Sequence, residues 1–385
     1  MKKRRDKNKG AKKKTIQALA LLAVLALLTV LVWERARQSP VRSDSEEATA
    51  VQPQAVTADV QEKSEFSEAA TESTENSAVK TPPNEAVPRP RALREPEIRD
   101  DEIPEELFRE AQEKGRVEIV QYTTCDMVSN LEDPIQKNLA VYLPYGYDEN
   151  GHYDVLMLLH CAWADHRFWL AQARDYATSE GSVPVSVPNL LDRMIEEGYC
   201  RPLIVISPCI YLYDGQPSAA GNQYDYLQFE REVGAQLLPF VAENYATWAK
   251  DGDRESLLAA RDHFGVLGAS FGAYATYLSL IGDNFDLMSW YCFCGGGMID
   301  PGHLQERWAA NGTQDLPLRM LYIAEGEYDD RAGPELSWQA LLRTGGSFTE
   351  DNVKFTLIRG YGHEDHSYLV GLYNSLQMFF VTGEL

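Results

Sequence analysis

From about residue 117 onward, short apolar runs alternate with stretches of helical periodicity. The runs at 117–122, 138–143, 155–160, 203–208, 264–268, 287–293, 320–324 and 353–358 read as strands. Tyr226, Phe229, Val233, Leu237 and Val241 form an apolar stripe at three-to-four spacing, which predicts a helix. A second helix is predicted directly after Ser270, and a third over 367–380 from Leu369, Leu372, Tyr373, Leu376 and Phe380. Strands that alternate with helices predict an α/β fold: a mainly parallel sheet with helices on both faces. The first two strands are free to pair antiparallel at one edge. In such sheets, sites form at the carboxyl ends of the strands.

The N-terminal quarter has a different pattern. A basic segment, 1–14, carries nine Lys/Arg against Asp6 alone. Residues 15–33 are apolar apart from Thr15, Gln17 and Thr29, close to the roughly 20 apolar residues that cross a bilayer. The flanking positive charge predicts a transmembrane signal anchor with a cytoplasmic N-terminus and a cell-membrane location, the domain that follows extracellular. A cleaved signal peptide is the rival reading, but no Ala-x-Ala site follows the apolar run. Residues 34–102 are acidic and rich in Ser, Thr, Glu and Pro, too poor in apolar side chains to offset ordering entropy, and read as a disordered linker. Residues 103–385 then form one domain with a full core.

Charge sharpens this picture. Residues 1–42 hold twelve Lys/Arg and two Asp/Glu, a net +10, which leaves −32 on the rest of a chain whose total is −22. So acidic an exported part disfavours nucleic acid as a partner. The six cysteines show no Cys-x-x-Cys and no zinc spacing, and are expected to be small buried hydrophobes.

The chemistry centres on Gly268-Ala269-Ser270-Phe271-Gly272, placed between a predicted strand and a predicted helix. There a serine is forced onto a tight turn with its hydroxyl above the sheet, and the outer glycines let strand and helix approach. An acid and a histidine must follow in that order. After strand 320–324 comes Glu325-Gly326-Glu327-Tyr328-Asp329-Asp330, and after strand 353–358 comes Gly360-Tyr361-Gly362-His363-Glu364-Asp365-His366. The expected catalytic set is Ser270, Asp329 and His363, with His366 the alternative base and Asp330, Glu325 or Glu327 the alternative acids. The glycine before His363 favours it. A metal reading of the two histidines lacks the zincin pattern and a third ligand.

Two backbone N–H groups are needed where the oxyanion develops. Phe271 is one, and Ala162, in the loop after strand 155–160, is the other. His160 is expected to be structural. Trp163, His166, Phe168 and Trp169 cluster in that loop, and Trp163 and Trp169 are candidates for substrate binding.

These residues carry a resemblance. The stretch 118–380 resembles the esterase D-like esterases of the α/β-hydrolase superfamily, in particular the feruloyl and acetyl-xylan esterase branch. The resemblance rests on 138–147 (Asn-Leu-Ala-Val-Tyr-Leu-Pro-Tyr-Gly-Tyr), on Leu158-Leu159-His160, on 229–245, on Arg261-Asp262-His263 before the serine corner, on Gly326-Glu327-Tyr328-Asp329 and on Gly362-His363. It implies an α/β-hydrolase fold, a Ser–Asp–His triad at Ser270, Asp329 and His363, no cofactor, and hydrolysis of acyl esters, often of plant cell-wall polysaccharide. Cys161 stands where the family usually has glycine, Phe271 replaces a methionine and Ala273 a frequent glycine. Siderophore esterases, acyltransferases and S-formylglutathione hydrolases share the family; the last are cytosolic, at odds with an anchor. The expected function is therefore a membrane-anchored serine carboxylesterase acting on a small-molecule or polysaccharide ester. Its rivals are an acyltransferase to a sugar or envelope polymer and an inactive surface-displayed binding domain.

Overall fold

The computed structural model describes residues 92–381 except 180, 298, 331 and 332. The basic segment, the apolar segment 15–33 and the linker as far as residue 91 lie outside the described residues. Among the described residues no helix is long and apolar enough to cross a membrane.

The strands are β1 (Arg116–Asp126), β2 (Leu131–Leu143), β3 (Asp154–Leu159), β4 (Arg174–Thr178), β5 (Gly181–Val185), β6 (Leu203–Pro208), β7 (Phe264–Ala269), β8 (Trp290–Cys294), β9 (Met320–Gly326) and β10 (Val353–Ile358). The α-helices are α1 (Arg167–Leu170), α2 (Val187–Glu196), α3 (Asn222–Glu232), α4 (Leu238–Asn244), α5 (Arg254–Ala259), α6 (Phe271–Ala275), α7 (Ile281–Asp283), α8 (Pro301–Asn311), α9 (Pro334–Thr344) and α10 (Asp365–Met378). Eight strands form one sheet in the order β1-β2-β6-β3-β7-β8-β9-β10. β1 and β2 pair antiparallel, β2 and β6 pair antiparallel, and every pair from β6 to β10 is parallel. All eight apolar runs read from the sequence are strands of this sheet. The run at 287–293 begins later than expected, at Trp290, because Leu287 N–H is turned back to the Asn284 carbonyl at 3.0 Å.

Alternate residues of the central strands face opposite sides, as a two-residue period requires. Met157, Leu159, Ile206 and Val266 pack with Phe229, Val233, Leu237 and Val241 in one buried cluster. Leu156, Leu158, Val205 and Leu267 pack with Leu190, Leu369, Leu372 and Leu376 in another. Helices therefore cover both faces. The four-residue spacing of Phe229, Val233, Leu237 and Val241 is accommodated by a π turn, Val233–Leu237, that joins α3 to α4.

Two features depart from the sequence reading. β4 and β5 form a separate two-stranded hairpin that no apolar run announces. The domain boundary at Ile103 also falls inside the folded unit. Arg94 N–H donates to the Gly198 carbonyl at 2.9 Å, Glu97 N–H to Gln377 Oε1 at 2.8 Å and Arg99 N–H to Asn374 Oδ1 at 2.9 Å. All six cysteines are free thiols, and Cys200, Cys209, Cys292 and Cys294 are buried. Cys292 and Cys294 share one sheet face with their sulfurs 3.5 Å apart.

Candidate active site

Ser270 follows the last residue of β7 and precedes α6. Its backbone sits at φ 54°, ψ −112°, a conformation side-chain-bearing residues rarely adopt, at a strain of order 1–3 kcal/mol. The surroundings impose it. A Cβ on Gly268 would lie 2.1 Å from the Gly272 carbonyl oxygen, and a Cβ on Gly272 would lie 2.6 Å from the Leu159 carbonyl oxygen. Strand, helix and the end of β3 thus close on one another only through glycine. Ser270 N–H donates to the Cys294 carbonyl at 2.8 Å, tying the corner to β8.

Asp329 and His363 arrive from the ends of β9 and β10, which are neighbours of each other in the sheet. Their loops interlock: a Cβ on Gly326 would sit 2.3 Å from the Gly362 carbonyl oxygen, and Tyr328 N–H donates to the Tyr361 carbonyl at 2.9 Å. His363 Nδ1 lies 2.5 Å from Asp329 Oδ2, and His363 Nε2 lies 2.9 Å from Ser270 Oγ. The carboxylate can only accept, so Nδ1 carries the proton and Nε2 is left to accept from the serine hydroxyl. The Asp329 side chain has no exposed surface, while the His363 ring keeps 19%. Gly295, at φ 60°, makes room for that ring; a Cβ there would lie 2.9 Å from Nδ1. Serine, imidazole and buried carboxylate therefore form one hydrogen-bonded chain along the carboxyl rim of β7, β9 and β10.

No family model matches the chain. A segment of 179 residues, 46% of the chain, is 28% identical to Endo-1,4-beta-xylanase Y of Acetivibrio thermocellus, and the match spans 14% of that protein's length. Among solved structures, the feruloyl esterase module of Clostridium thermocellum, an alanine mutant in complex with sinapinate, superposes with a TM-score of 0.59 at 22% identity. That match covers 77% of this chain and 98% of the module. The ferulic acid esterase of the anaerobic fungus Anaeromyces mucronatus superposes with a TM-score of 0.55 at 18% identity, covering 74% of this chain and 98% of that one. The fold is that of the feruloyl esterases.

Within this fold the alternative residues lie elsewhere. His366 is fully buried, its ring between those of Tyr176 and Tyr361, and its two nitrogens meet the carbonyls of Ala177 (2.6 Å) and Asp101 (2.7 Å). Glu327 Oε2 accepts from Gly360 N–H at 2.9 Å, Glu325 is buried, and Asp330 is exposed. Among the described residues no group of three or more His, Cys, Asp or Glu is placed to hold a metal ion.

The loop after β3 corrects one expectation. Trp169 cannot bind substrate: it is fully buried and donates its indole N–H to the Leu159 carbonyl at 3.0 Å. His166 and Phe168 are buried as well. The apolar side of α1 faces the core, so these rings support the loop from beneath. Trp163 alone of the four is open, at 80% exposure.

His160 fixes the start of this loop. Its Nε2 accepts from Ile210 N–H at 2.9 Å, which leaves Nδ1 to donate to the Cys161 carbonyl at 2.7 Å. Burial lowers its pKa to about 4, against the opposing pull of the Cys161 carbonyl. The unfolded ring protonates near 6.5 and the folded ring near 4, so between those values the unfolded state binds more protons. This contribution is fully present above pH 6.5 and is lost as pH falls through the window, by about 3 kcal/mol in all. Denaturant titrations at pH 7 and pH 4 should show wild type losing up to about that much more stability than His160→Asn. The paired comparison cancels Asp225, whose burial raises its pKa to about 6 and gives the opposite slope. Equal losses in the two proteins would contradict the neutral, buried ring.

Proposed function

We propose that this protein is a serine carboxylesterase acting on acyl esters of carbohydrate, of feruloyl or acetyl type, tethered to the cell membrane through residues 15–33 with its catalytic domain outside. The observation that carries the activity is the continuous hydrogen-bonded chain from Ser270 through His363 to Asp329. The feruloyl esterase relatives support the acyl class, and the basic block beside an apolar run supports the anchor.

In this reading Ser270 Oγ attacks the ester carbonyl carbon while His363 Nε2 takes its proton. Asp329 holds the ring and stabilises the imidazolium. The developing oxyanion is met by the N–H groups of Ala162 and Phe271; the latter lies in the first turn of α6, where helix geometry supplies no internal acceptor. The ester C–O bond then breaks and His363 returns the proton to the leaving alcohol. Water, deprotonated by the same ring, attacks the acyl-serine and releases the acid.

A panel of feruloyl, acetyl and longer acyl esters offered to the purified protein tests the reading. Release of free acid in step with alcohol, fastest for a feruloyl or acetyl ester, is the expected outcome. Absence of turnover on every ester would contradict it, and transfer of the acyl group to an added sugar in place of acid release would make the protein an acyltransferase.

A further inference from the structure

We propose that Tyr211 is a positioning residue that sets the spacing between the two N–H groups assigned to the oxyanion; the inference rests on the esterase reading above. Tyr211 lies just beyond β6 in a buried segment with Cys209, Ile210 and Leu212. Nothing in the sequence pattern distinguishes it from an ordinary core aromatic.

Its hydroxyl accepts from Trp163 N–H at 2.9 Å. Burial pushes the phenol up to about 12, so the group stays neutral over the working pH range. Trp163 occupies φ 59°, the left-handed region, which a bulky side chain enters only when its surroundings hold it there. The peptide on the other side of Ala162 is held too: the Cys161 carbonyl accepts from His160 Nδ1 at 2.7 Å and from Ala164 N–H at 3.3 Å. That carbonyl and the Ala162 N–H belong to one rigid peptide plane and point in opposite directions, so holding the carbonyl aims the N–H. His160 is in turn bonded to Ile210 N–H, next to Tyr211 in the chain.

The Tyr211 ring reaches the second donor. It packs on Phe271, with centroids 5.2 Å apart, and on His160, also at 5.2 Å. Phe271 is backed on another side by Tyr226 at 4.7 Å. One side chain therefore touches both donor-bearing segments, by its hydroxyl at Trp163 and by its ring at Phe271. Cys161 is not among the residues at positive φ, so its position makes no demand for glycine; the strained residue is Trp163, two positions later, and it is held by a side-chain hydroxyl.

Tyr211→Phe keeps the ring and removes the acceptor. Its kcat on an aryl ester should fall roughly tenfold, less than the 10²–10³ that follows loss of a donor outright. KM should stay within about twofold, and an arylboronic acid, whose serine adduct is tetrahedral, should bind weaker by the same factor as kcat. Tyr211→Leu also removes the contact with Phe271 and should cost roughly a hundredfold, the scale of a misplaced reacting group. A Tyr211→Phe enzyme with wild-type kcat and wild-type boronate affinity, or with a change confined to KM, would overturn the proposal while leaving the esterase reading intact. A wild-type protein without esterase turnover would overturn both.

Discussion

Replacing Ser270 by alanine is expected to lower kcat by roughly a million-fold, to the residue of catalysis that binding and the oxyanion donors supply. His363→Ala should cost about as much, and the double mutant no more than either alone. The reason is geometric. With Nε2 2.9 Å from Oγ, the hydroxyl and the imidazole perform one proton transfer, and a unit broken once cannot be broken again. Asp329→Asn should cost roughly 10⁴. The asparagine amide would offer Nδ1 a donor at the place of the buried carboxylate, favouring the other tautomer and leaving Nε2 protonated. Steady-state kinetics on one aryl ester across the three single mutants and the double mutant checks this. Losses that multiply in the double mutant would contradict a shared proton transfer.

The largest effect on stability is expected at Lys137. Its side chain retains 1% of its exposure and that of Glu232 none, and Nζ lies 2.7 Å from Glu232 Oε1 and 2.9 Å from the Cys209 carbonyl. The hydroxyl of Tyr122 also donates to Glu232, and burial, followed by the charge of that carboxylate, holds this phenol well above its ordinary pKa, so it remains a donor. Lys137→Met would leave the fully buried Glu232 carboxyl without its ion-pair partner, a loss of about 3–5 kcal/mol in denaturant unfolding. Removing both charges in Lys137→Met/Glu232→Leu should restore most of it, because desolvation of the pair nearly cancels its attraction. A single mutant within about 0.5 kcal/mol of wild type would show that the pair contributes nothing. Lys137 also holds the Cys209 carbonyl, two residues before Tyr211.

The sheet was legible because its central strands, β3, β6, β7, β8 and β9, are buried throughout and read as near-continuous apolar runs, while the outer strands β1 and β10 mix apolar and polar residues. The serine corner was legible because local sterics demand glycine at 268 and 272. The hairpin of β4 and β5 was not: only Tyr176 and Val185 of its residues are buried, and Pro184 and Gly181 break any strand pattern. Residues 92–102 were read as linker because their composition is polar. They are held by backbone bonds to Asn374 and Gln377 of α10, partners more than 270 positions away that no local pattern reveals. Trp169 misled for a related reason. Aromatic residues close together in a loop do not disclose which rings face the core, and α1 turns this one inward. The roles of Tyr211 and His160 in shaping the loop depend on contacts between the ends of β3 and β6, strands that are neighbours in the sheet and some fifty positions apart in the chain.

The most direct test is whether Ser270 is chemically activated by its neighbours. The purified protein is treated with a fluorophosphonate, and the modified residue is located by peptide mass spectrometry in wild type and in His363→Ala. One adduct, on Ser270, formed rapidly in wild type and lost in His363→Ala, is the predicted result. A Ser270 that stays unlabelled in the folded wild-type protein, or that labels equally fast without the imidazole, would contradict the account.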